Sequence, residues 1–200
     1  MELAPSREQL LYTLHEAAEI EHNLMCCYLY AAFSLKRADE RWSAEEAQAV
    51  VRWRDTIVGV AMDEMTHLAL VANLVHAIGG QAHFGRPMFP ITSGPYPAGF
   101  VIRLQPFSAE TIAHFQFLER PEGAALADGA GYEPNRAYRR HTGSGRLSPG
   151  AQDYDTVGGL YASVKRGLQA FCEAQGEAAL FIGHPALQVD EKLISLEGMG

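Results

Sequence analysis

The chain has 200 residues, 48% hydrophobic and 20% charged, with a formal net charge of −8. That is enough apolar material for one well-packed core, and the acidic balance argues against the basic face that a nucleic-acid partner requires. Three cysteines, two of them adjacent, make no disulfide framework; no basic segment and apolar run opens the chain, and charges interrupt each long apolar pattern. The expectations are therefore a reducing cytoplasm, no secretory signal and no membrane span.

Ser6, with Gln9 three positions on and Pro5 just before, reads as a capping box that starts a first helix running to about Lys36. Leu14, Ala18, Glu21, Met25 and Tyr28 form one helical stripe with Glu21 at its centre, whereas Glu16 and Glu19 fall off it and read as surface charges. Cys26 and Cys27 read as core or near-core residues. A short link around Ala38 to Trp42 leads to a second capping box, Ser43 and Glu46, and a second helix that runs antiparallel to the first as far as Gly79-Gly80. Measured from the link, Glu21 lies about fifteen residues away and Glu64 about twenty, so an overhang of about one turn is needed to level them.

Within the second helix, Glu64 and His67 share a face with Ile57, Val60, Ala61, Leu68, Val71, Leu74 and Val75. A carboxylate facing a core is costly unless it is paired, protonated or bound to a cation. From Gln81 to Pro106 five prolines (Pro87, Pro90, Pro95, Pro97, Pro106) rule out helix interior and predict a long extended crossover. Ser108 caps a short third helix in which Ile112, Phe115 and Glu119 align, ending near Glu119 before Pro121. An irregular stretch follows from about Arg120 to Asp153, with Arg136, Arg139, Arg140, His141 and Arg146 concentrating positive charge in a solvated loop. Asp155 is placed to cap a fourth helix with the stripe Val157, Leu160, Tyr161, Val164, Leu168, Phe171 and Cys172, ending before Gly183-His184-Pro185.

Long helices joined by short and long connections predict an all-α fold, a ferritin-like four-helix bundle with a long crossover between helices 2 and 3 and long irregular loops. Glu-x-x-His on one helix, joined by carboxylates from others, is the ligand pattern of metal-carboxylate bundles, which makes Glu21, Glu64, His67 and Glu119 candidate metal ligands. The remaining histidines, His15, His22, His76, His83 and His114, lack a ligand-spaced partner and are expected at the surface or in support of the site. Tyr28 and Tyr161 are expected as core aromatics with a hydrogen-bonded hydroxyl.

Ala18-Glu19-Ile20-Glu21-His22 with Tyr28-Leu29-Tyr30-Ala31, and above all Asp63-Glu64-Met65-Thr66-His67-Leu68-Ala69-Leu70, resemble the first two helices of ferritin-like domains in the iminophenyl-pyruvate dimer synthase family. Pro95-Tyr96-Pro97, Phe117-Leu118-Glu119-Arg120-Pro121 and Val157-Gly158-Gly159-Leu160-Tyr161 continue the resemblance in order across most of residues 7–190. The resemblance implies one iron-binding domain over 1–200, with Glu21, Glu64 and His67 as ligands and Glu119 as a fourth. Family members continue past the counterpart of Gly200 into another Glu- and His-bearing segment, and the fourth helix here has no carboxylate on its apolar stripe. The implied activity is oxidative coupling of imines made from aromatic amino acids.

Carboxylate and imidazole ligands with open positions suit non-haem iron, mono- or dinuclear, better than manganese or a closed zinc site. The leading expectation is an O₂- or peroxide-dependent iron oxidoreductase acting on a small aromatic, carboxylate-bearing molecule, with homo-oligomers left open. A non-catalytic iron store and a helical bundle with a degenerate site acting as a binding module are the alternatives.

Overall fold

Both long helices begin where their capping boxes place them. In the computed structural model, which describes residues 4–39, 41–83, 85, 88–91, 101–133 and 154–190, the Ser6 side chain accepts from Gln9 N while the Gln9 side chain accepts from Ser6 N. Ser43 and Glu46 exchange the same pair of bonds. These caps satisfy amide groups that a helix start otherwise leaves unpaired, each for about 1 kcal/mol. They open α1 (Arg7–Ser34) and α2 (Ala44–Ala77). A third capped helix, α3 (Ala109–Leu118), starts at Ser108 as expected, with Glu119 at its C-terminal cap.

The fourth helix, α4 (Val157–Gln175), differs at both ends. Its cap is Thr156, whose hydroxyl accepts from Gly159 N at 3.0 Å, and not Asp155. It stops at Gly176, which takes φ +87°, a left-handed value that glycine adopts without a Cβ penalty. A four-residue helix, α5 (Glu177–Leu180), and a 3₁₀ turn at Pro185–Leu187 follow. The single helix expected to continue almost to Gly183 is thus broken.

α1 is the central helix. Leu14, Ala17, Ile20, Leu24, Ala31 and Ala32 are all but completely buried, and they lie on more than one face. α2 runs antiparallel along it, with Gly80, just past its C-terminus, packed on Leu11 and Trp53, in its first half, stacked on Phe107, whose N–H donates to Ser34 Oγ. α4 is antiparallel to α1 on another side, since Tyr161 meets Glu21 while Gly167 lies against Leu10 and Pro5. Glu64 lies 20 residues past Ala44 and Glu21 lies 13 before Ser34, so α2 overhangs its partner by about two turns, more than the one expected.

Because α1 is covered on several sides, its off-stripe acids are not all solvated. Glu16 is 5% exposed and accepts a 2.5 Å hydrogen bond from the Tyr154 hydroxyl, which corrects its reading as a surface charge. The crossover contributes an antiparallel bridge between Ile91 and Ile102; among the described residues there is no strand, in agreement with the all-α expectation. Pro95-Tyr96-Pro97 and the arginine-rich group Arg136, Arg139, Arg140, His141 and Arg146 lie outside the described residues.

The reading that charges interrupt every long apolar pattern does not hold for α2. It contains an 18-residue window of mean hydropathy 1.3, long and apolar enough by length and composition to cross a membrane. Its charges are too sparse along that window to interrupt it. In this fold the helix forms one wall of the bundle against α1.

Candidate metal centre

The site is built by the α1–α2 pair. Glu21 projects from the middle of α1 and is 1% exposed; Glu64 on α2 is 4% exposed. His67, one turn beyond Glu64, sits half exposed at the edge, with Nδ1 3.3 Å from Glu21 Oε2 and 3.5 Å from Glu64 Oε2. Among the described residues these three offer one ligand atom each within 4.8 Å of one another. The two turns of overhang make this possible, by bringing the middle of α1 level with the second half of α2.

Glu21 Oε2 is buried without a hydrogen bond. Its other oxygen, Oε1, accepts from the Tyr161 hydroxyl on α4. The close cationic neighbour of Oε2 is the half-exposed His67 ring, and a cation at the centre of the triad would complete the satisfaction of a buried carboxylate oxygen that accepts no hydrogen bond. The donor set of two carboxylates and one imidazole suits a first-row divalent ion. The residues present therefore fit the metal that the sequence pattern implies.

The electrostatics divide the protons unequally. Burial pushes Glu64 up to about 8, and the neighbouring Glu21 and Glu119 charges add to the rise. Burial also raises Glu21, but its interactions with His67, Glu64 and the Tyr161 hydroxyl outweigh that and leave its carboxyl below the usual range. The two carboxylates raise His67 to about 10. Without a cation, burial favours the protonated form of Glu64, the two carboxylates favour the charged form of His67, and Glu21 is the more readily ionised carboxyl of the pair. Burial and the adjacent Glu21 charge keep the Tyr161 phenol protonated.

Glu119 does not join the triad. It stands at the end of α3, its Oε1 accepting from the Tyr28 hydroxyl, close enough to Glu64 to disfavour its charge. It does line the same cavity, a space of about 530 Å³ whose floor is Glu21, Glu64 and His67 and whose walls include Leu24, Leu70, Val71, Leu74, Leu118, Pro121, Val157 and Tyr161. Arg120 frames this wall. Its guanidinium donates to Phe117 O and Asp155 O, both at 2.6 Å, and lies 3.8 Å from the Phe117 ring centroid, tying the end of α3 to the start of α4.

Both tyrosines have hydrogen-bonded hydroxyls, as expected of them, but their partners are Glu21 and Glu119, which helical spacing could not reveal. His114 departs from its expected place at the surface or beside the site. It is 2% exposed, with Nδ1 2.6 Å from Asp128 Oδ1 and its ring stacked 3.7 Å from that of Tyr132. Asp128 lies on a loop far from any helical register, so spacing gave no sign of the pair. His15 bonds Gln81 O at 3.1 Å through Nε2 and meets His83 edge-on at 5.2 Å.

With this geometry, the relatives are informative. The 2-imino-3-(indol-3-yl)propanoate dimerase of Chromobacterium violaceum is 31% identical over 146 residues, covering 62% of this chain and 15% of that protein. The dichlorochromopyrrolate synthase of Lentzea aerocolonigenes is 25% identical over 185 residues, covering 82% of this chain and 17% of the relative. This chain thus spans about a sixth of the curated relatives it matches. A solved ferritin-like protein from Caulobacter vibrioides shares the fold, with a TM-score of 0.64 at 19% identity over 98% of this chain and 62% of that one. The Ferritin-like family model matches residues 14–197, nearly the full length, and the chain belongs to the ferritin-like family.

Proposed function

We propose that this chain forms the metal-binding centre of a non-haem iron oxidoreductase, with Glu21, Glu64 and His67 holding the ion and the adjoining cavity admitting a small aromatic, carboxylate-bearing substrate. The observation that carries this reading is the buried Glu21 Oε2, which accepts no hydrogen bond and lies 3.3 Å from His67 Nδ1 in a cavity with mostly apolar lining. Iron, when bound, supplies electron exchange with dioxygen or peroxide, so no protein nucleophile is required. Glu119 stands beside the triad as the candidate for a further ligand, and a cytoplasmic location accords with the reading.

The chain's own residues contribute binding and proton placement. Glu21 offers a carboxylate that is already ionised. Glu64 and His67 each give up a proton to become ligands, and Glu64 Oε2 can take one back when the site empties. Leu118, Pro121 and Val157 give the cavity apolar lining beside Glu21 and Glu64, both buried, where charge interactions are stronger than in water. The activities named for the two relatives, an indolyl imino-acid dimerase and a dichlorochromopyrrolate synthase, support an aromatic substrate that carries a carboxylate.

A second reading, a binding module that holds an ion without redox turnover, is favoured by α4 presenting the phenol of Tyr161 to the site where a carboxylate would add a ligand. Anaerobic ferrous reconstitution followed by elemental analysis tests the common premise. Wild type is expected to retain one to two irons per chain, and Glu64→Ala and His67→Ala to lose them with helix content intact. Iron undiminished in both variants refutes the site. Dioxygen consumption by the loaded protein with aromatic imino acids then separates the oxidoreductase from the inert module.

A further inference from the structure

The described part of the fold contains three tyrosine–glutamate pairs: Tyr154 with Glu16, Tyr28 with Glu119, and Tyr161 with Glu21. Only the last reaches a member of the metal-binding triad. Its geometry is directional. The Tyr161 hydroxyl takes Oε1 of Glu21, while Oε2 of the same carboxylate is the atom that lies toward His67 and has no hydrogen bond.

The phenol is held firmly enough to impose that choice. Leu160 and Val164, flanking Tyr161 on α4, are 0% and 4% exposed. The start of α4 is fixed by the Thr156 cap and by the Arg120 bond to Asp155 O. Farther along, Gly167 lets α4 approach Leu10 and Pro5 of the α1 end closely. A tyrosine pinned this way donates to an ionised carboxylate without further ordering cost, and such charge-assisted bonds are among the stronger ones a protein makes.

We infer that Tyr161 is a positioning residue for the metal centre: its hydroxyl occupies Glu21 Oε1 and so presents Oε2 as the ligand atom. The inference rests on the triad being the metal site. It assigns α4 a part in ion binding even though that helix contributes no carboxylate, and it explains why a phenol stands there. The aromatic ring also lines the cavity, so one side chain orients a ligand and forms a wall.

Titration of the metal-free protein with cobaltous ion, followed by its visible absorption, tests the inference. Tyr161→Phe keeps the ring and deletes the donor, and is expected to raise the cobalt dissociation constant about 10–100-fold, the usual cost of losing an outer partner of a ligand. The visible bands should shift as Glu21 relaxes, while the melting temperature in chelator stays near that of wild type. Tyr161→Met, which removes the donor with a flexible apolar chain, is expected to weaken cobalt likewise. Tyr154→Phe deletes a hydroxyl from a comparable buried pair that ties the residues just before α4 to α1, and is expected to bind as wild type does. A Tyr161→Phe constant within twofold of wild type overturns the inference while leaving the triad intact. Equal weakening in Tyr154→Phe also overturns it, because general loosening of α4 against α1 then accounts for the loss. A wild-type protein that takes up no cobalt removes the triad reading and this inference together.

Discussion

Metal binding at this site should be steeply pH-dependent, and the proton inventory sets the slope. With Glu64 raised to about 8 and His67 to about 10, both carry protons at pH 7, whereas Glu21 is already ionised. A cation must displace both protons to use these residues as ligands. The association constant should therefore rise about 100-fold per pH unit between roughly pH 6.5 and 7.5. Above about 8 one proton remains to be displaced and the slope falls to about tenfold per unit; above about 10 it vanishes. Calorimetric titration with manganous or cobaltous ion, in two buffers of different ionisation enthalpy, counts the released protons directly. Two protons at pH 7 match the geometry. A pH-independent constant with no proton release would refute the argument, because no combination of these three groups binds a cation at neutral pH without displacing a proton.

The same inventory acts on the metal-free fold. Glu64 has a folded-state value above the 4.5 of a free carboxyl, so the native state holds the extra proton between about 4.5 and 8. Its contribution to stability is complete below that range and is lost as pH rises through it. Glu64→Gln should therefore leave metal-free stability nearly unchanged at pH 5 and raise it by roughly 1–3 kcal/mol at pH 8.5, as read by urea unfolding in chelator; equal effects at both pH values would contradict the burial argument. Ile20→Ala, at a fully buried position of α1, should cost about 2–5 kcal/mol in the same assay. Gly129→Ala places a Cβ 2.1 Å from the Glu110 carbonyl oxygen, and should destabilise by roughly 1–3 kcal/mol, with a visible fall in melting temperature as the loop bearing Asp128 is forced off α3.

The long helices were legible because their signals are local. Ser6–Gln9 and Ser43–Glu46 mark their own helix starts, and the apolar spacing around Glu64 and His67 places both on one face whatever lies opposite. Glu16 was missed for the opposite reason: a stripe rule assumes one covered face, and α1 is enclosed on several. Thr156, and not the expected Asp155, caps α4 because its hydroxyl is the one that reaches Gly159 N. The pairing of Tyr161 with Glu21 spans 140 residues and leaves no periodic trace. His114 with Asp128 joins a helix to a loop, again beyond any helical spacing. Local chemistry thus marked Glu21, Glu64 and His67 as candidates, and only tertiary packing reveals that the Tyr161 hydroxyl bonds one of them.

The ligand atoms of the triad all come from one antiparallel hairpin, α1 and α2, whereas much of the cavity wall comes from Leu118–Pro121 after α3 and from Val157–Tyr161 at the start of α4. On the proposed reading, ion retention and cavity shape therefore reside in different stretches of chain. Substitutions in the two wall segments can reshape the chamber without touching the hairpin's donor set, with Tyr161 the exception, since it both lines the cavity and bonds Glu21. Grafted variants that exchange those short segments between relatives offer a direct way to redirect what enters.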